Sequence, residues 1–145
     1  MSEIKKPRSI GIFKRGQKVS TNFIGTAWIE ALVSDDENVY DCQVYNIVFE
    51  PNTRSHWHKH PGGQILLVIE GTGYYQERGE KARILKKGDV VEIPLDTEHW
   101  YGATFFSRFT YISITPNINK GLVVWLKPVS DEEYKYASKA SVKWE

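Results

Sequence analysis

Cysteine occurs once, at Cys42, and histidine only four times in a chain of 145 residues. A single thiol excludes an intrachain disulfide and any zinc site built from several cysteines, and it suits a reducing compartment. Net charge is nearly absent too: 19 basic and 18 acidic side chains leave +1. Such a balance argues against the broad basic surface that nucleic acid or anionic lipid requires. No apolar run reaches the length of a membrane span, and the opening MSEIKKPRSIGIF lacks a signal-peptide core. The expectation is a cytoplasmic chain with no nucleic-acid or membrane partner. No repeat, linker or low-complexity segment divides it, so residues 1–145 read as one domain, long enough to bury a core without staples.

What is present is aromatic and strand-like. Five Trp, eight Tyr and six Phe favour sheets and lined cavities. Gly25–Leu32, Val39–Glu50, Gln64–Glu70 and Phe105–Thr115 read as strands rich in β-branched and aromatic residues. YYQERGEKARIL reads as a hairpin turning at Arg78–Glu80, and GDVVEIP as a turn at Gly88 and Asp89 followed by a strand closed by Pro94. One helix is expected over residues 130–140. Ser130 precedes an acidic run, Glu133 follows three residues later as in a capping box, and lysines close the segment. The fold class is therefore all-β, a barrel or jelly-roll-like double sheet with a short C-terminal helix. An immunoglobulin-like sandwich is the alternative, but it gives the histidines no role.

Three of the four histidines lie within five positions, in RSHWHKHPGGQ. In an extended strand, residues two apart share a face, so His56, His58 and His60 would project together. Two imidazoles so spaced can converge on a metal ion. Gln64 shares their parity beyond the Pro61-Gly62-Gly63 bend, and His99 on a neighbouring strand would close the set. Trp57 and Trp100 fall on the opposite face and read as packing residues, and Cys42 reads as a small buried side chain. The charges of DDEN and SDEEYK read as solvated.

Two segments resemble the paired motifs of the cupin superfamily. The first is HKHPGGQILLVIEG, with His58, His60, Gln64 and Gly71 at the family spacing; the second is GDVVEIPLDTEHWYGA, with Gly88, Pro94, Asp96 and His99. The closer similarity is to small single-domain bacterial cupins related to carboxymuconolactone decarboxylase-associated proteins and manganese-dependent hydroxynitrile lyases, and VVWLKPVSDEEY resembles their tail. The resemblance implies a cupin β-barrel in which His58, His60, Gln64 and His99 hold one divalent ion: manganese, iron, nickel, cobalt or zinc. It also implies a homodimer, with the N-terminal segment able to supply a pairing strand. Gln64 stands where most of the superfamily has glutamate, Asp96 where it has glycine, and Tyr101 where close relatives carry another histidine.

Three neutral imidazoles and an amide would leave such an ion its full charge, which favours polarising a bound oxygen. The function expected is a lyase, isomerase or decarboxylase-type reaction on a small oxygenated molecule. An iron dioxygenase and a non-catalytic binding module are the alternatives. Tyr101, Tyr111 and His56 are the candidates for moving a proton or orienting substrate, with packing as the other role of the tyrosines and a rim position that of His56. Arg54 could bind a substrate carboxylate through its fork or form a solvent-facing ion pair.

Overall fold

The computed structural model describes residues 12–140. The N-terminal segment expected to supply a dimer strand, like most of MSEIKKPRSIGIF, falls on residues 1–11, outside the described residues. The strands are β1 (Gln17–Val19), β2 (Phe23–Ile24), β3 (Ala27–Val33), β4 (Cys42–Phe49), β5 (Arg54–Ser55) and β6 (His58–Lys59). They continue with β7 (Gln64–Glu77), β8 (Arg83–Lys86), β9 (Val90–Ile93), β10 (His99–Ala103), β11 (Phe109–Pro116) and β12 (Val124–Trp125), and the last element among the described residues is α1 (Asp131–Ala137). Every pairing is antiparallel. The sheet runs β1-β3-β4-β11-β7-β10-β5-β2, with β8 and β9 beside β7 and β6 joined to β10 and β12. This is the expected all-β, nearly closed barrel. No helix among the described residues is long and apolar enough to cross a membrane.

β7 holds the two halves together. Its first part pairs with β11 and β9, its second with β10 and β8. What the sequence suggested as a strand, a GTG break and a new hairpin is one 14-residue strand. The bend lies at Gly71, whose φ of 80° and close approach to Arg108 (a Cβ would stand 1.7 Å from its carbonyl oxygen) admit only glycine. One strand serving both halves sets aside the two separate sheets of the immunoglobulin-like alternative.

Strand ends differ where side chains capture the backbone. Val39 and Tyr40 suit a strand by propensity, yet they are exposed in a turn because the Asp35 carboxylate accepts hydrogen bonds from Val39, Tyr40 and Cys42 N–H. The backbone hydrogen bond from Tyr40 leads the causes that lower the Asp35 pKa. DDEN is therefore a turn-former as well as a solvated segment. Cys42 is half-buried rather than buried. The strand expected from Phe105 begins only at Phe109. The helix has the expected capping box, with Ser130 Oγ accepting from Glu133 N–H and the Glu133 carboxylate from Ser130 N–H, but it ends at Ala137.

Two apolar clusters result. Phe49, Leu66, Phe109 and Tyr111 are fully buried inside the barrel, where each such side chain contributes about 1.5–3 kcal/mol through burial. Outside, Tyr134 and Ala137 of α1 pack on Trp57, Tyr74 and Trp100. The tail thus covers the outer face of β10 while the inner face is left to the site.

Candidate metal centre

His58 on β6 and His99 on β10 are direct antiparallel partners, and β12 places Trp125 on the other side of His58. His60 follows β6 and accepts the Gly63 N–H through its carbonyl, so the chain reverses at once. Gly63, with φ of 88°, makes that reversal possible and delivers Gln64 as the first residue of β7. Asp96, the departure from glycine, also has a left-handed backbone at φ 61°, a conformation aspartate tolerates better than most residues. Its N–H donates to the His60 carbonyl, which ties the second motif to the first.

The three imidazoles share one hydrogen-bonding scheme. His58 Nδ1 lies 2.9 Å from the His56 carbonyl oxygen, His60 Nδ1 2.6 Å from that of Leu122, and His99 Nδ1 2.8 Å from that of Thr97. A carbonyl only accepts, so each Nδ1 carries the proton and each Nε2 keeps its lone pair. The ligating atoms of His58, His60 and His99 all lie within 4.8 Å of one another. His60 Nε2 is buried with no hydrogen-bond partner.

Gln64 completes the cluster. Its Nε2 donates to Tyr101 Oη at 3.0 Å and to Ser113 Oγ at 2.8 Å, which leaves Oε1 facing His99 Nε2 at 3.1 Å. In the tautomer set by Thr97, that last contact brings two lone pairs together. Such a pair repels unless a cation lies between the atoms. The orphaned His60 Nε2 and this acceptor–acceptor contact both fit a divalent ion held by nitrogen and neutral oxygen.

Burial enforces the neutral imidazoles. It pushes His58 well below the usual histidine pKa, with the neighbouring His99 and His60 adding to the effect. It brings His99 down to about 3, opposed by the Thr97 carbonyl, and lowers His60 against the pull of Leu122. Burial likewise raises the Tyr101 phenol to about 12, while its hydrogen bond from Gln64 works the other way. Tyr111 is raised well above the ordinary value by burial, and its hydroxyl makes no hydrogen bond of normal geometry.

A cavity of about 200 Å³ opens beside the cluster. His60, Gln64, Tyr101, Tyr111 and Ser113 line its deep end; Phe23, Ile29, Ile47 and Trp125 supply apolar wall. No Asp, Glu, Lys or Arg among the described residues lines it. Water-poor walls of this kind strengthen any electrostatic interaction inside.

The structure brings His58, His60, Gln64, His99, Tyr101 and Tyr111 together, and it takes Arg54 and His56 away. Arg54 pairs with Gly102 and His58 with His99, so four steps on one strand span three on the other. That one-residue bulge at His56 and Trp57 reverses the facing of everything before it. Arg54 is consequently on the outer face. Its Nε and Nη2 donate to the Val129 carbonyl at 3.0 and 2.8 Å, Nη2 also reaches Asp131, and its guanidinium lies over the Tyr134 ring. The expected substrate contact is replaced by a clasp on the C-terminal tail. The His56 side chain does not line the cavity; its contribution to the cluster is the carbonyl that holds His58. Trp57 and Trp100 pack outside, as their parity with His58 and His99 suggested. Sequence reading missed Ser113, although it shares the parity of Tyr111 in FTYISIT, where a polar residue at alternate positions marks an inward polar face.

The profile of the cupin domain matches residues 45–115. The (R)-mandelonitrile lyase of Granulicella tundricola is 32% identical over 133 residues, covering 92% of this chain and 98% of that protein. The crystal structure of a cupin-like protein from Thermotoga maritima is 52% identical with a TM-score of 0.85, covering 87% of this chain and 96% of that one. A DMSP lyase from Ruegeria pomeroyi has a TM-score of 0.61 at 18% identity, covering 80% of this chain and 64% of that one, a likeness of fold alone.

Proposed function

From the premise that the chain belongs to the cupin family, we propose that it is a metal-dependent lyase, isomerase or decarboxylase-type enzyme acting on a small oxygenated molecule. The observation that carries the reading is the convergence of three buried imidazoles, each with Nδ1 spent on a backbone carbonyl. His58, His60 and His99 would hold one divalent ion, with Gln64 Oε1 as the neutral fourth donor. A divalent cation bound there supplies Lewis acidity to a substrate oxygen, undiminished by any carboxylate ligand.

The chain's own residues do the rest. Phe23, Ile29, Ile47 and Trp125 receive the apolar part of the substrate and exclude water. The Tyr101 phenol, held at the deep end between His58 and Gln64, delivers a proton to the reacting centre or anchors its oxygen by donation. A pKa near 12 makes it an acid or donor and unfits it as a base at neutral pH. Tyr111, beside it, is the second hydroxyl that can orient substrate. No charged side chain is in the described lining, and the name of the Granulicella relative makes aromatic hydroxynitriles the first to try. The expected homodimer and cytoplasmic location belong to the same reading.

The test has four readouts. Elemental analysis of purified protein should find about one divalent ion per chain, and His60→Ala should lose it. Metal-loaded protein should cleave hydroxynitriles or isomerise carbonyl compounds under anaerobic conditions. Oxygen uptake by the iron-loaded form alone would favour a dioxygenase, and metal binding without turnover of any such compound would favour a binding module. Light scattering should give twice the 16.7 kDa chain mass.

A further inference from the structure

We propose that Ser113 is a positioning residue that sets which end of the Gln64 carboxamide faces the imidazoles. The inference rests on the reading of Gln64 as a metal donor and deepens it. Ser113 lies mid-strand in β11, opposite Leu66 and Tyr45, and is 3% exposed. Its Oγ is 2.8 Å from Gln64 Nε2, the shorter of the two hydrogen bonds that the amide nitrogen makes.

An amide has two settings separated by a half-turn, and they are chemically opposite. With oxygen toward His99, Gln64 offers a lone pair to a cation, and both N–H groups need acceptors. With nitrogen toward His99, an N–H would instead donate to the lone pair of His99 Nε2, and the oxygen would turn to the hydroxyls. The second setting closes the cluster on itself without any ion. Tyr101 and Ser113 are the two acceptors that make the first setting possible. Tyr101 also lies 3.0 Å from His58 Nε2, so its hydroxyl is shared. Ser113 Oγ has Gln64 as its hydrogen-bond partner, and Ser113 faces the cavity, toward which the hydroxyl hydrogen can turn while a lone pair stays with Gln64. Removing that oxygen leaves a buried N–H without an acceptor only in the ion-binding setting, and so shifts the amide toward the closed one.

A glutamate at position 64 has two equivalent oxygens and no such choice. The dependence on Ser113 is therefore peculiar to glutamine, and a double-mutant cycle separates it from packing. Mn²⁺ binding is followed by titration with electron paramagnetic resonance on wild type, Ser113→Ala, Gln64→Glu and the double variant, with the melting temperature of each metal-free protein alongside. Ser113→Ala should weaken Mn²⁺ binding by about 10- to 100-fold in the glutamine background, the range for residues that orient ligands. In the glutamate background it should change binding by less than about threefold. Equal losses in both backgrounds, or no loss in the first, overturn the proposal. If Ser113→Ala does not fold, Ser113→Thr and Ser113→Val replace it: they have the same shape, and only the valine variant should lose affinity. Wild type that binds no Mn²⁺ or other divalent ion overturns the metal reading itself. Wild type that binds while Ser113→Ala binds equally well overturns this inference alone.

Discussion

The Tyr101 hydroxyl stands 3.0 Å from His58 Nε2 and 3.0 Å from Gln64 Nε2, so one phenol touches two of the residues proposed to hold the metal. It reaches that position because Tyr101 is two residues beyond His99 on β10 and shares its inward face. In the proposed reaction, Tyr101 would donate a proton to a substrate bound against the cluster. Its ring is packed by Phe49 and Tyr111, which fixes the hydroxyl rather than leaving it to swing.

Tyr101→Phe removes the proton and keeps the ring. With the substrate identified, kcat should fall by about 10²- to 10⁴-fold, the usual range for a general acid, while metal content is unchanged. Because burial brings this phenol to about 12, the wild-type rate should show no alkaline loss from Tyr101 up to pH 10. A rate limb between pH 8 and 10 that disappears in the Phe variant would contradict the assignment.

Metal removal should be visible in stability. A ligand that binds only the folded state at 100 times its Kd adds about 2.7 kcal/mol. Protein stripped with a chelator should melt lower than the loaded form, and adding back divalent ion should restore it. His60→Ala should abolish that difference, since its Nε2 has no protein partner and its Nδ1 is spent on the Leu122 carbonyl.

The metal-free protein should be acid-sensitive. His58, His60 and His99 all have folded pKa values below the ordinary 6.5, His99 at about 3. The unfolded chain therefore takes up protons at these positions from pH 6.5 downward while the folded chain does not. Stability is fully present above that pH and is lost as pH falls toward the folded values, by on the order of 1 kcal/mol per pH unit for each imidazole. Melting temperature should drop between pH 7 and pH 5, and His99→Phe should make that drop shallower.

How far the sequence foretold the site depends on the local backbone. His58, His60, Gln64 and His99 were legible because the spacing around Pro61-Gly62-Gly63 and Gly88–Pro94 encodes the turns that bring them together. Tyr101 and Tyr111 followed from strand alternation, which holds through β10 and β11. Alternation failed for Arg54 and His56 because a bulge of one residue is set by tertiary pairing with β10, and nothing in the local composition announces it. Val39 and Tyr40 failed as a strand because a single carboxylate, Asp35, captures three N–H groups. The backbone carbonyls of Thr97 and Leu122 that fix the imidazole tautomers were beyond sequence reading altogether, since any residue supplies a carbonyl.

The bulge makes a last prediction that separates neighbours in sequence. Arg54 is 4% exposed, and its two bonds to the Val129 carbonyl anchor the tail that carries α1. Asp131, its ion-pair partner, has a side chain 97% exposed, so solvent screens that pair. Asp131→Asn should therefore change stability by less than about 1 kcal/mol. Arg54→Met should cost more, about 1.5–3 kcal/mol, as expected for losing hydrogen bonds from a buried charged group. Neither should alter metal affinity, because both side chains lie on the face of β5 and α1 away from the imidazoles. His56→Ala should also retain metal, since its carbonyl, not its ring, holds His58. Deleting His56 is a different matter: it leaves three steps facing three, which keeps His58 inward, but it removes the carbonyl that holds His58 Nδ1 and should weaken binding. Metal affinity of the three substitutions and the deletion, read beside their melting temperatures, separates the His56 carbonyl, which aims the imidazole, from the His56 ring, which does not.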